Sequence, residues 1–171
     1  MKIALISDIH DHIEYLKWAL EEILQSDARQ ILCLGDIVSP FTARYLAQYA
    51  LPVFGIFGNN EGDRTRILRV SLKKGSSLVM ANTDFSEWEF QGKTYFLSHY
   101  PQIAELATCS GKYEAVFHGH THEKRNEILS GIPIVNPGEI AAVRTGVVSF
   151  ALFDTDSKTT QFREKKKSDS F

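Results

Sequence analysis

The chain has 171 residues, 43% of them hydrophobic and 23% charged, with a formal net charge of −2. These values fit one globular domain with a substantial core and exclude a disordered chain or a general polyanion binder. Two cysteines are too few for a disulfide framework, and no apolar run is long enough for a signal peptide or a bilayer span, so a reducing, cytoplasmic setting is expected.

In chain order, residues 2–7 (KIALIS) read as a strand that runs into Asp8 and His10. Ile13, Leu16, Leu20, Ile23 and Leu24 then follow helical spacing. A second strand over 30–35 ends at Asp36, with Gly35 allowing a close turn. Ser39 is placed to cap a helix with Pro40 in its first turn and Leu46 and Tyr49 further on. A third strand over 52–57 leads to Gly58 and Asn59, and the charged segment near 62–74 reads as helix. Strands alternating with helices imply parallel pairing through right-handed crossovers.

The second half is richer in strand. SSLVMA, DFSEWEF, KTYFLSH, AVFHG, RNEILS, IPIVN, VVSFALFD and TTQFRE are separated by turn signals at Gln91-Gly92-Lys93, Ser130-Gly131 and residues 154–157. A helix beginning at Pro101 is expected over about 101–109. Cys33 lies in an apolar run and reads as buried, and Trp88, Phe90, Tyr95 and Phe96 read as core and hairpin packing. Lys165, Lys166 and Lys167 form the only basic cluster, within a tail expected to fray from about 163 to 171. The whole reads as one α/β (α+β) domain, residues 1–171.

Five apolar runs stop at residues of metal-binding type. They end at Asp8 and His10, at Asp36, at Asn59, at His99, and at His120 and His122. Ligands in an α/β sheet gather beyond the carboxyl ends of the strands, so seven oxygen and nitrogen donors would meet at one edge. Two carboxylates and four imidazoles among them suit a pair of divalent transition metals. Asp36 can bridge two ions, since a carboxylate has two oxygens. Two dications less Asp8, Asp36 and a bridging hydroxide leave about one positive unit, which attracts and polarises a phosphate ester. Any one of these residues alone would more often be a turn or capping group; the joint pattern carries the reading.

The series Asp8-x-His10, Gly35-Asp36, Gly58-Asn59, His99 and Gly119-His120-Thr121-His122 resembles the calcineurin-like metallophosphoesterase superfamily. The compact length, the GHTH form and Asn136-Pro137-Gly138 are similar to its small prokaryotic YfcE-like phosphodiesterase branch, over about residues 2 to 153. The resemblance implies a four-layer α/β/β/α sandwich with two central mixed sheets. It implies Asp8, His10, Asp36 and His122 on one metal and Asp36, Asn59, His99 and His120 on the other, with Asp36, Asn59 and His99 also central to catalysis. It implies a phosphodiesterase acting through a metal-bridging hydroxide, with Mn²⁺ the first choice and Ni²⁺, Fe or Zn²⁺ compatible. The partner expected is a small phosphate ester, not a specific nucleic acid or a membrane, and a homo-oligomer is left open. A phosphomonoesterase, or a non-catalytic scaffold like the retromer subunit of the same fold, is the alternative.

One departure stands out. Many superfamily members carry a histidine after the Gly-Asn pair, thought to protonate the leaving oxygen; here the motif is Gly58-Asn59-Asn60-Glu61. An amide cannot serve as a general acid, so good leaving groups should be preferred. Asn60, His12 and Arg144 are the candidate substrate contacts. His12 can sit at the rim or cap the first helix, and Arg144 can clamp a phosphate oxygen or lie on the surface. His118 reads as a buried, hydrogen-bonded histidine or as a group orienting a ligand. Glu61 and Asp63 read equally as acids at a helix start.

Overall fold

In β1 (Lys2–Ile6) successive side chains face two different cores. Ile3 and Leu5 pack into one cluster of buried residues, Ala4 and Ile6 into another. This two-sided burial is what a central strand between a helix layer and a second sheet requires. The computed structural model describes residues 1–167.

After β1 come α1 (Ile13–Gln25), β2 (Ala28–Cys33), α2 (Pro40–Ala47), β3 (Val53–Gly55), α3 (Arg64–Ser71) and β4 (Leu78–Met80). Strands β1 to β4 pair in parallel in chain order. Then follow β5 (Phe85–Phe90), β6 (Lys93–Ser98), α4 (Pro101–Thr108), β7 (Val116–His118), β8 (Lys124–Leu129), β9 (Ile132–Pro137), β10 (Val147–Asp154) and β11 (Thr160–Lys166). The six-stranded sheet has the order β11-β10-β1-β2-β3-β4, and the five-stranded sheet β5-β6-β7-β9-β8. Both are mixed: β10 runs antiparallel to β1, while β6, β7 and β9 are parallel within a sheet whose edges are antiparallel.

The two sheets meet face to face over Leu5, Leu32, Ile56, Tyr95, Leu97, Phe117, Val135 and Phe153. Helices α1, α2 and α3 cover the outer face of the larger sheet, and Phe96, Ala104, Val116 and Ile134 form the layer under α4. The four-layer sandwich is therefore present. Gln91-Gly92 and Ser130-Gly131 hold consecutive positive φ values, the geometry of tight hairpin turns.

Several details differ from the sequence reading. The buried stripe of α1 is Tyr15, Leu16, Ala19, Leu20 and Ile23, while Leu24 is 55% exposed because it lies one step round the helix from that stripe. The expected fraying from about 163 is corrected as far as Lys167. Strand β11 pairs with β10 from Thr160 to Lys166, the amide of Lys167 donates to Gly146, and Phe162 packs against the inter-sheet core. Residues 168–171 of that expected tail lie outside the described residues. No described helix is long and apolar enough to cross a membrane.

Candidate metal centre

The donors stand on the loops that leave β1, β2, β3, β6 and β7, and those loops are laced together by backbone bonds. The amide of Asp8 donates to the Gly35 carbonyl, and the amides of Ile9 and His10 donate to that of Asp36. From the other sheet, the amide of Gly119 donates to His99, and those of Ile140 and Ala141 donate to Ser7 and Asp8. Five of the seven donors sit in the left-handed region: Asp8, His10, Asp36, His120 and His122 have φ between 45° and 71°. Such residues cost about 1–3 kcal/mol each, so this concentration marks a functional edge.

The tight packing of these loops explains the glycines. A Cβ on Gly58 would lie 2.6 Å from the Asp36 nitrogen, and one on Gly35 would lie 2.6 Å from His99 Nδ1. The Gly35 φ of +103° disfavours a side chain as well.

All seven donors come together. His122 Nε2 is 3.4 Å from Asp8 Oδ1, and His10 Nε2 is 3.9 Å from the same oxygen and 3.4 Å from Asp36 Oδ2. His99 Nε2 is 3.5 Å from Asp36 Oδ1 and 2.9 Å from Asn59 Oδ1. His120 Nδ1 is 2.8 Å from that Asn59 oxygen. Donor atoms of Asp8, His10 and His122 lie within 4.8 Å of one another, as do those of Asp8, Asp36 and His99.

The hydrogen-bond roles show what these atoms lack. His99 Nδ1 lies 2.8 Å from the Leu34 carbonyl, which only accepts, so Nδ1 carries the proton and Nε2 of the neutral ring turns a lone pair inward. Burial keeps His99 neutral by lowering its pKa, and His10 is lowered for the same reason. Asp8 Oδ1 and His10 Nε2 are buried with no hydrogen-bond partner. Burial, with Asp36 adding to it, pushes the Asp8 carboxyl up to about 7. His122 is also held above its usual range: burial opposes this, but Glu139 and Asp8 outweigh it. Lone pairs converging on a shared space, and a cluster that retains protons there, fit a site for cations.

Asp36 is fixed by a neighbour read differently from the sequence. The amide nitrogen of Asn60 donates to Oδ1 at 2.8 Å and its Nδ2 donates to Oδ2 at 3.1 Å. Glu61 does not serve a helix start; its carboxylate accepts from the amides of Ile37, Val38 and Gly58, tying the Asp36 and Asn59 loops together. Asp63 does cap α3, accepting from the Arg66 amide. His12 occupies the N-cap position of α1 without a side-chain cap bond, its ring stacked on Tyr15. His118 is buried, its Nδ1 3.0 Å from the Gly119 carbonyl, and burial lowers it to about 4. Arg144 lines an open cleft of about 460 Å³ together with His120, Thr121, Glu123 and Thr145.

Glu139 went unread in the sequence. It is fully buried, and His122 Nδ1 lies 2.7 Å from its Oε2. Burial opposes its charge, yet the bonds from His122, Thr145 and Val143 hold the carboxyl down to about 2. The available signal was a lone acid opening an otherwise apolar stretch directly after Asn136-Pro137-Gly138.

The sequence pattern of the calcineurin-like phosphoesterase superfamily domain matches residues 1–158. The chain belongs to that superfamily. It is 31% identical over 166 residues to the phosphodiesterase MJ0936 of Methanocaldococcus jannaschii, covering 96% of this chain and 98% of that one. It superposes on a structurally characterised archaeal phosphodiesterase with a TM-score of 0.85 at 27% identity, covering 96% of this chain and 100% of the other. On YfcE, a phosphoesterase from E. coli, the TM-score is 0.68 at 17% identity, over 98% and 100% of the two chains. The likeness to the small branch thus extends over whole chains. Calcineurin-like phosphoesterases are hydrolases of phosphate esters that use divalent metal ions, and this chain is one of them.

Proposed function

We propose that the chain is a phosphodiesterase with a dinuclear metal centre, held by Asp8, His10, Asp36 and His122 on one side and Asp36, Asn59, His99 and His120 on the other. One observation carries this reading: the two oxygens of Asp36 face histidines of different groups, Oδ2 toward His10 and Oδ1 toward His99. A carboxylate so placed serves two ions at once. The phosphodiesterase relative at 31% identity supports diesters as the substrate class.

Bound divalent ions would supply Lewis acidity toward the phosphoryl oxygens. The chain's own residues set the geometry. Asn60 holds both oxygens of Asp36, and Leu34 fixes the His99 ring, so neither has to reorganise when charge develops on the substrate. Arg144, exposed on the cleft shared with His120 and Thr121, offers a planar pair of donors to a non-bridging oxygen. Asn60 supplies no proton to a leaving oxygen, and the loss of such an acid is worth about 10²–10⁴-fold. Aryl esters, whose leaving groups depart unprotonated, are therefore the favoured class. Mn²⁺ is the proposed ion among those that imidazole and carboxylate donors accept.

The test is hydrolysis of paired aryl monoester and diester substrates across Mn²⁺, Ni²⁺, Fe²⁺, Zn²⁺ and Mg²⁺. Faster turnover of the diester with Mn²⁺ is expected. Faster turnover of the monoester would reassign the substrate class, and no turnover with any ion would leave an inert scaffold of the same fold.

A further inference from the structure

A buried histidine and an exposed loop near the cleft are joined by a single side chain, that of Glu139. The Glu139 carboxylate receives the His122 ring at Oε2 and gathers the loop after it: Val143 N at 2.9 Å to Oε2, Arg144 N at 3.0 Å to Oε1, Thr145 N at 2.7 Å and Thr145 Oγ1 at 2.8 Å to Oε1. An ionised carboxylate only accepts, so His122 Nδ1 must donate, and Nε2 is left to face Asp8 Oδ1. The same anion curls residues 143–145 so that Arg144 and Thr145 border the cleft that His120 and Thr121 line from the opposite loop.

We propose that Glu139 is a positioning residue with two outputs: it fixes the tautomer and angle of His122 for a metal ion, and it holds the Arg144 loop for the anionic substrate. The inference rests on the metal-centre reading above. A carboxylate behind a ligating imidazole raises its basicity as well as orienting it, and losing such a partner typically weakens metal binding about 10–100-fold. The loop output is separable, because Thr145 Oγ1 donates to Oε1 of the carboxylate whereas His122 meets Oε2, and its other partners, the carbonyl and amide of Val147, lie within the loop's own exit.

The decisive experiment is calorimetric titration of Mn²⁺ into the metal-free full chain, with thermal unfolding of each protein alongside. Glu139→Gln keeps the size of the side chain and one acceptor but removes the charge. It is expected to weaken Mn²⁺ binding about 10–100-fold. Thr145→Val is expected to leave the Mn²⁺ affinity within about twofold and to raise KM for an aryl diester about 2–10-fold with little change in kcat. A purely structural Glu139 would lower the unfolding midpoint and leave the affinity of the folded fraction unchanged; that result, in a folded Glu139→Gln, overturns the proposal. Should the variant not fold, nitrogen-resolved NMR of the metal-free wild type decides. The proton is expected on His122 Nδ1 at a pH where the ring is neutral, and an Nε2–H tautomer would refute the assignment. A wild type that takes up no Mn²⁺ at all would instead defeat the metal-centre reading itself.

Discussion

In the proposed centre His99 and His122 would perform the same duty on opposite sides of the cluster, and the chain supports them differently. His99 is completely buried and its Nδ1 donates to a neutral backbone carbonyl, that of Leu34. His122 is nearly as buried, at 7% exposed, and its Nδ1 donates to a full anion, Glu139. On the His99 side the further donor is the neutral amide oxygen of Asn59; on the His122 side it is the carboxylate of Asp8. Orientation needs only an acceptor, so the extra anions on the second side alter the electrostatics and not the aim. In the proposed centre, the position at Asp8, His10 and His122 should therefore fill first and the position at Asn59, His99 and His120 second.

The largest effect is expected where the two halves share a residue. Asp36→Asn should lower aryl-diester turnover by about 10²–10³-fold and weaken both steps of a Mn²⁺ titration, since it alters each half. A variant that lost only one step would show that Asp36 belongs to one ion. Chelation comes next: losing each ion present at a hundredfold excess over its dissociation constant costs about 2.7 kcal/mol, which should lower the unfolding midpoint by about 5–11 °C per ion and abolish activity. An unchanged midpoint together with unchanged activity would count against any metal-centred site.

Smaller, but specific to the His122 half, is a pH signature of the metal-free chain. Asp8 titrates at about 7 in the folded state, against 3.8 as an ordinary carboxyl, so the folded chain binds the extra proton between those values. The stability tied to Asp8 is thus fully present below about pH 4 and is lost as pH rises toward 7. Glu139 runs the other way: its contribution is present above 4.5 and is lost as pH falls toward 2. Thermal unfolding from pH 4 to 8 should show the Asp8 decline in the wild type and its loss in Asp8→Asn. Mn²⁺ binding at pH 6 should release protons, measurable in buffers of different ionisation enthalpy, and zero release would contradict a protonated Asp8. The smallest effect is Asn60→Ala. It removes the Nδ2 bond to Asp36 but keeps the backbone one, so a loss of about 2–10-fold is expected, far below that of Asp36→Asn.

The donor set was legible because two local signals coincide in the sequence, a short apolar run and a polar residue where it stops. Asp8, Asp36, His99 and His120 each follow such a run, and parallel pairing within each sheet together with the stacking of the two sheets brings them to one edge. Glu139 escaped because an acid after Asn-Pro-Gly looks like a solvated turn residue. Its bonds to the amides of 143–145 are local, within six residues, but His122 becomes its neighbour only once β9 lies beside β7. Asn60 was read by what it lacks as an acid, whereas its service to Asp36 depends on a contact across 24 positions of chain. The tail was misread for a related reason. Periodicity over Thr160–Lys166 cannot reveal that β10 offers an open edge, and pairing with that edge is what orders the segment. Pairing partners are long-range facts, while runs and turns are local ones.

The stitching of the donor loops has a kinetic consequence. The amides of Asp8, Ile9, His10, Ile140 and Ala141 bridge neighbouring strands at the rim and cross from one sheet to the other, so no single loop can peel away by itself. Deuterium should enter these five positions only as fast as the entire molecule opens. In the proposed centre a bound cation would then exchange by way of the cleft beside Arg144 and not through the opening of one loop.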